Sequence, residues 1–359
     1  MAGHPRSISS SRISNLLLLS ILLNIHVSMV NCSFCGHPRF SHATDPLDLS
    51  SQFATGEPPR PPVTVMFAQK MLLEEKEVLA KNGSGKTPSA SDTKSSTLRI
   101  VGGMDVNDDT GGFLCWQVSI QMKTVPGLVR CGGSIIGSRK ILTAAHCVTL
   151  NRGAALMSPT AFIVMVGALD SAFNGSSSPH GARNCGQSFN LAKIIRHPQY
   201  DHGTLGNDIA VLILDRDIDI NAQCSCPVCL PTKEPSVGEW CVNSGYGQES
   251  DSGSNDRVPL PLKFIYQQIL KNFGPKCHYT GGQDGNNFLC AGGIVGTDNC
   301  YGDSGGPLVC FDMTTKSYYQ SGVVSFGVGK CGSGQGSRYT NVFKYLDFIR
   351  SGANGNLGI

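Results

Sequence analysis

Near the C-terminal end of this 359-residue chain, a serine stands between glycines in Asp298-Asn299-Cys300-Tyr301-Gly302-Asp303-Ser304-Gly305-Gly306-Pro307. Well upstream lie Thr143-Ala144-Ala145-His146-Cys147 and Asn207-Asp208-Ile209-Ala210. A serine hydroxyl is a poor nucleophile until an imidazole takes its proton and a buried carboxylate holds that imidazole in one tautomer. His146, Asp208 and Ser304 supply those groups as base, orienting acid and nucleophile. The glycines around Ser304 permit a tight turn whose amides, those of Gly302 and Ser304, can face a developing oxyanion. Gly302-Asp303-Ser304-Gly305-Gly306 also fits the nucleophile elbow of α/β-hydrolases, but that architecture orders its triad Ser, acid, His. No histidine follows Ser304, which excludes it.

The elements that must position these groups read as strands. Short β-rich runs recur between Gly, Asn, Ser and Pro: 116–120, 162–166, 209–214 and 321–326. Their spacing argues an all-β sandwich or barrel. Val342, Tyr345, Leu346 and Ile349 repeat at helical spacing and predict a terminal helix over 342–350. Hydrophobic content of 40% and 15% charged residues suit a packed globular protein. From Ile100 onward 19 Lys and Arg balance 19 Asp and Glu, leaving no electrostatic footprint for nucleic acid or an anionic membrane.

Fifteen cysteines point to an oxidising compartment. Arg6 and Arg12 precede the apolar run Leu16–Ile25, a positive n-region and a short core that predict a cleaved signal peptide over 1–32. Asn24 and His26 interrupt it too early for a membrane span. Residues 33–99 read as a largely disordered propeptide. Pro58-Pro59-Arg60-Pro61-Pro62 is extended and stiff, 66–81 has the pattern of a modest helix, and the Ser, Thr, Gly and Lys of 82–97 form a linker. Gly85-Lys86-Thr87 is no phosphate loop, because Ala80 stands where the first glycine belongs. Asn82-Gly83-Ser84 and Asn174-Gly175-Ser176 are glycosylation sequons.

From Ile100 to about Gly352 the chain resembles a trypsin-like serine protease of the chymotrypsin family. The motifs are Ile100-Val101-Gly102-Gly103, Cys131-Gly132-Gly133-Ser134, the His146 and Asp208 motifs, Val228-Cys229-Leu230-Pro231 and the Ser304 motif. The resemblance implies two six-stranded antiparallel β-barrels in 100–359, their boundary near 225, with the active site between them. It implies cleavage after Arg or Lys, with Asp298 at the floor of the substrate pocket. Ser325 and Gly327 would pair with substrate backbone, and Leu205 would line a neighbouring subsite. Cutting after Arg99 would free an α-ammonium on Ile100 for Asp303. Its disulfides would be Cys131–Cys147, Cys241–Cys310, Cys277–Cys290 and Cys300–Cys331, with Cys35–Cys229 tethering the propeptide. Cys115, Cys185, Cys224 and Cys226 remain, for two bridges of open connectivity or with one thiol free.

Some positions depart from the family. Tyr246 replaces the commoner Trp, and Gly336-Ser337-Arg338-Tyr339 stands for the usual Pro-Gly-Val-Tyr. Anchored on Tyr339, that register brings Ser337 to the pocket wall; a one-residue shift would bring Gly336 there instead. Between Gly167 and Lys193 only Asp170 offers a carboxylate, too few oxygens for a calcium loop, so no metal and no cofactor is expected. The propeptide has too few cysteines for the six-cysteine clip module of some arthropod relatives. The implied partners are protein or peptide substrates, an activating protease and a protein inhibitor. Two rival readings are a non-catalytic homologue acting as a binding protein and a protease with another side-chain preference.

Overall fold

The computed structural model describes Cys35 and residues 103–106, 114–123, 129–150, 155–168, 186–220, 225–248, 261–277 and 287–351. The signal segment, the 66–81 helix, the linker, Arg99, Ile100, Asp170, Cys185, Cys224 and both sequons lie outside them. In chain order the strands are β1 (Met104–Asp105), β2 (Gln117–Met122), β3 (Val129–Gly137), β4 (Lys140–Thr143), the short pair β5 (Thr149–Leu150) and β6 (Ala155–Leu156), β7 (Phe162–Val166), β8 (Gln187–Phe189), β9 (Leu191–Arg196) and β10 (Ala210–Leu214). There follow β11 (Trp240–Gly245), β12 (Lys263–Leu270), β13 (Phe288–Gly292), β14 (Pro307–Asp312), β15 (Ser317–Phe326) and β16 (Gly336–Asn341).

The C-terminal strands run β1-β12-β11-β14-β15-β16-β13, and β12 also pairs with β13. That extra pairing closes β11 to β16 into a six-stranded antiparallel barrel. The N-terminal strands form a seven-stranded antiparallel sheet, β8-β7-β2-β3-β4-β10-β9. Its edge strands β8 and β9 are separated in the chain by Asn190 alone, so one bent run, 187–196, borders both edges. Asn190 is held at that bend by Lys123 Nζ, which donates to its Oδ1 at 2.7 Å, and by its own Nδ2, which donates to Asp215 at 3.1 Å. The expected two six-stranded barrels are therefore one closed barrel and one sheet whose sixth strand is broken in two by an asparagine.

β10 is apolar along its length because both of its faces are covered, and Val211 and Leu212 are fully buried. The opposed faces of the two sheets also bury polar side chains, which must find partners there. Ser134 on β3 donates to Gln320 on β15 at 2.5 Å, and Ser244 on β11 donates to Gln117 on β2 at 2.6 Å. These two bonds fix one sheet against the other. The terminal segment begins as a 3-10 turn, Val342–Tyr345, before becoming α1 (Leu346–Ser351), so the predicted helix is α-helical only in its second half.

Six disulfides cross-link the described residues: Cys35–Cys229, Cys115–Cys226, Cys131–Cys147, Cys241–Cys310, Cys277–Cys290 and Cys300–Cys331. The Cys115–Cys226 bridge settles two of the four cysteines that sequence left open.

Candidate active site

The loop before β10 presents a carboxylate. Gly203 N and Thr204 Oγ1 donate to Asp201 at 2.9 and 2.7 Å, and Asp201 N donates to Gly206 O at 2.9 Å, which closes a tight turn. Leu205 and Asn207 both adopt left-handed backbone at φ 55°, a conformation asparagine tolerates better than leucine. Asn207 is pinned on both sides, donating to Gln199 O at 2.8 Å and accepting from Tyr345 Oη at 3.0 Å. The C-terminal segment thus braces the residue next to Asp208.

Asp208 is fully buried. Its Oδ1 accepts from the amide of His146 at 2.9 Å, and its Oδ2 lies 2.7 Å from His146 Nδ1. A carboxylate can only accept, so the proton sits on Nδ1 and Nε2 is left as a base. Two further contacts escape sequence reasoning. Ser325 Oγ donates to Asp208 Oδ2 at 2.6 Å, and Thr340 Oγ1 donates to Asp208 O at 2.8 Å. His146 itself rides on a 3-10 turn, Ala145–Val148, stapled to β3 by Cys131–Cys147, with its ring 22% exposed. Cys131, His146 and Cys147 bring three ligand-type atoms within 4.8 Å. The two sulfurs are bonded to each other, which leaves a single imidazole and no cation site.

Ser304 belongs to the other sheet, on the turn that enters β14, and is half-buried. Asp303 N donates to Cys300 O at 3.0 Å with Gly302 at φ 99°, a turn that requires glycine at its third residue. Among the described residues neither Gly302 N nor Ser304 N donates to a backbone carbonyl. The turn is seated against the N-terminal sheet by Gly132 N, which donates to Ser304 O at 2.8 Å. Gly305, at φ 79°, lies so close to Gly132 O and Thr143 that a side chain has no room. Among the described residues no hydrogen bond joins Ser304 Oγ to His146 Nε2; such contacts tighten when substrate binds.

Asp303 is also fully buried. It accepts from Gly247 N at 2.8 Å and Cys300 N at 2.9 Å. Burial pushes its carboxyl up to about 7, the two amides oppose that rise, and the charge of Asp298 adds to it. No basic side chain among the described residues is in ion-pair contact with it. Tyr246 fills the position between Gly245 and Gly247, buried, with its hydroxyl donating to Ala168 O at 2.7 Å.

A third buried carboxylate is that of Asp298. Asp298 is 4% exposed; Ser337 Oγ donates to its Oδ1 at 2.7 Å and Gly332 N to its Oδ2 at 3.3 Å. A Cβ on Gly327 would lie 3.7 Å from Ser337 Oγ, so those two residues face each other. Gly336 points the other way, into the Cys277–Cys290 bridge: a Cβ there would lie 3.1 Å from Cys277 Sγ and overlap Cys290 Sγ. Cys300–Cys331 ties the Asp298 segment to the loop after β15. Leu205 is half-buried in the loop before β10.

A buried Asp–His couple facing a glycine-flanked serine, on two antiparallel sheets, is the arrangement expected of one family, and the model of that family, Trypsin, matches residues 100–349. The chain belongs to the trypsin family of serine proteases. This trypsin-family chain is 32% identical to serine protease 1 of Homo sapiens over 244 residues, 67% of this chain and 87% of that protein. It is 33% identical to cationic trypsin-3 of Rattus norvegicus over 252 residues, 69% of this chain and 91% of the relative. It is 34% identical to CLIP domain-containing serine protease B10 of Anopheles gambiae over 269 residues, covering 70% and 69%.

Proposed function

We propose that this chain is the secreted zymogen of a serine endopeptidase that cleaves peptide bonds after Arg or Lys. Residues 1–32 serve as the signal peptide, 33–99 as the propeptide and 100–359 as the peptidase domain. The observation that carries the reading is the fully buried Asp208 carboxylate, whose contact with Nδ1 leaves His146 Nε2 free to act as a base. Ser304 Oγ attacks the carbonyl carbon of the substrate while His146 Nε2 takes its proton. The amides of Gly302 and Ser304 receive the oxyanion. His146 then protonates the leaving amine, and water releases the acyl group by the same steps in reverse. Ser325 holds Asp208 in line, a positioning role beside its expected one on substrate backbone. Asp298 attracts the cationic side chain.

Asp303 supports the activation reading. A fully buried carboxylate raised to about 7, with two amide donors and no cation in contact among the described residues, is a site prepared for positive charge. Cleavage after Arg99 supplies one as the α-ammonium of Ile100. The Cys35–Cys229 bridge keeps the propeptide attached afterwards. Secretion is supported by the leader pattern and the disulfides; among the described residues no helix is long and apolar enough to cross a membrane.

The test is titration of the purified protein, before and after cutting at Arg99, with a reagent that acylates active-site serines. The cut wild type should titrate and hydrolyse Arg or Lys peptides, while Ser304→Ala and uncut Arg99→Gln should do neither. Failure of the cut wild type to titrate would make it a non-catalytic homologue.

A further inference from the structure

We propose that Ser337 turns the pocket towards lysine and away from arginine; the inference rests on Asp298 being the pocket base. Arginine pairs best with a carboxylate through two parallel N–H···O bonds, which need both oxygens along one edge. Here each oxygen already has a donor, Ser337 Oγ on Oδ1 at 2.7 Å and Gly332 N on Oδ2 at 3.3 Å. The hydroxyl also faces Gly327, so the entering side chain meets Ser337 Oγ beside the carboxylate. It thus takes space where the broad guanidinium plane needs most.

The same hydroxyl suits an ammonium. Having given its one proton to Asp298, Ser337 Oγ presents only lone pairs, and the negative charge stands directly behind them. Lysine brings a compact head with three rotatable donors and needs no second carboxylate oxygen. Ser337 cannot easily move aside. It is fully buried, paired with Ala291 across β13, and its neighbour Gly336 is lodged against the Cys277–Cys290 sulfurs.

The experiment measures kcat/KM on two peptides that differ only in Lys or Arg before the cleaved bond, for the cut wild type, Ser337→Gly and Ser337→Ala. Each preparation is normalised to its titratable serine, so unfolded variant does not enter the rates. The wild type should favour Lys by about tenfold, equal to about 1.4 kcal/mol. Ser337→Gly should bring Arg level or ahead, chiefly by raising its rate. Ser337→Ala loses the acceptor and also vacates the hydroxyl's space and its place on Oδ1, so it should lower the Lys rate and raise the Arg rate. A wild type that takes Arg as well as Lys, or a Lys:Arg ratio unmoved by Ser337→Gly, overturns the proposal. Cleavage confined to aromatic or aliphatic residues removes Asp298 as the pocket base, and the proposal with it.

Discussion

Replacing Gly247 by alanine tests how the buried Asp303 shapes the oxyanion turn. The new Cβ would lie within 2.6 Å of Asp303 Oδ1 and closer still to Cγ and Oδ2, well inside ordinary van der Waals contact. Gly247 does not occupy the left-handed region, so alanine suits its backbone and the effect is steric. The carboxylate must retreat from both amides that now bind it, Gly247 N at 2.8 Å and Cys300 N at 2.9 Å. Losing a hydrogen bond to a charged acceptor costs about 1.5–3 kcal/mol, and overpacking adds about 1–3 kcal/mol. Part of this sum appears as lost stability. The rest misaligns the segment from Cys300 to Ser304, whose Gly302 and Ser304 amides are proposed to hold the oxyanion. Removing one such donor lowers kcat by roughly 10²–10³, so the cut Gly247→Ala enzyme should lose about that much kcat with little change in KM. Steady-state kinetics normalised to titratable serine measure this. Gly137→Ala is the control, since its Cβ meets only Lys140 at 3.7 Å and should change kcat by less than twofold. A Gly247→Ala enzyme within about threefold of wild-type kcat would refute the role given to Asp303.

Ser325→Ala removes one hydrogen-bond donor to Asp208 and should lower kcat about three- to tenfold, with Ser325→Thr restoring most of it; an unchanged kcat confines Ser325 to substrate backbone. The uncut Arg99→Gln chain should lose stability as pH rises from about 4 to 7. The folded Asp303 keeps a proton there that the unfolded chain releases, so its stabilising effect is complete at low pH and fades through the folded value of about 7. Three pH units correspond to on the order of 4 kcal/mol; urea titrations should show that slope reduced in the Asp303→Asn variant, and equal slopes would contradict it. On cleavage, non-reducing electrophoresis should show one band and reducing conditions two, because Cys35–Cys229 spans the cut; separation without reductant would exclude that bridge.

Much of the candidate site's local geometry was legible because each motif is a short contiguous string. Thr143 to Cys147 opens the 3-10 turn and ends on a cysteine whose disulfide partner, Cys131, lies 16 positions upstream, and Gly302 to Gly306 carries the glycines that its turn requires. The contacts of Asp208 with Ser325 and Thr340 were not legible, because they join residues more than a hundred positions apart through strands β15 and β16. Neither serine nor threonine on a strand signals a carboxylate partner by its type. The same limit applies to Cys115–Cys226, since four remaining cysteines admit three pairings until the sheets bring two together. The break at Asn190 was hidden for another reason: an asparagine inside a strand-like run ends pairing only when neighbours such as Lys123 and Asp215 hold its side chain.

The pocket wall shows how one step of register decides chemistry. A shift of one residue along β16 exchanges its two faces, so Gly336 or Ser337 could have faced Asp298 on the sequence alone. The disulfide on the opposite face removes that freedom. Cys277 and Cys290 crowd the place where a side chain at 336 would stand, so only glycine fits there. β13 pairs Leu289 with Tyr339 and Ala291 with Ser337, while the Tyr339 hydroxyl, donating to Gln267 and 3.1 Å from Asn299, holds the strand at depth. Once Gly336 is committed to the sulfurs, the alternation of the strand turns Ser337 to the carboxylate. A glycine required beside a disulfide on one face thereby determines which residue meets Asp298 on the other.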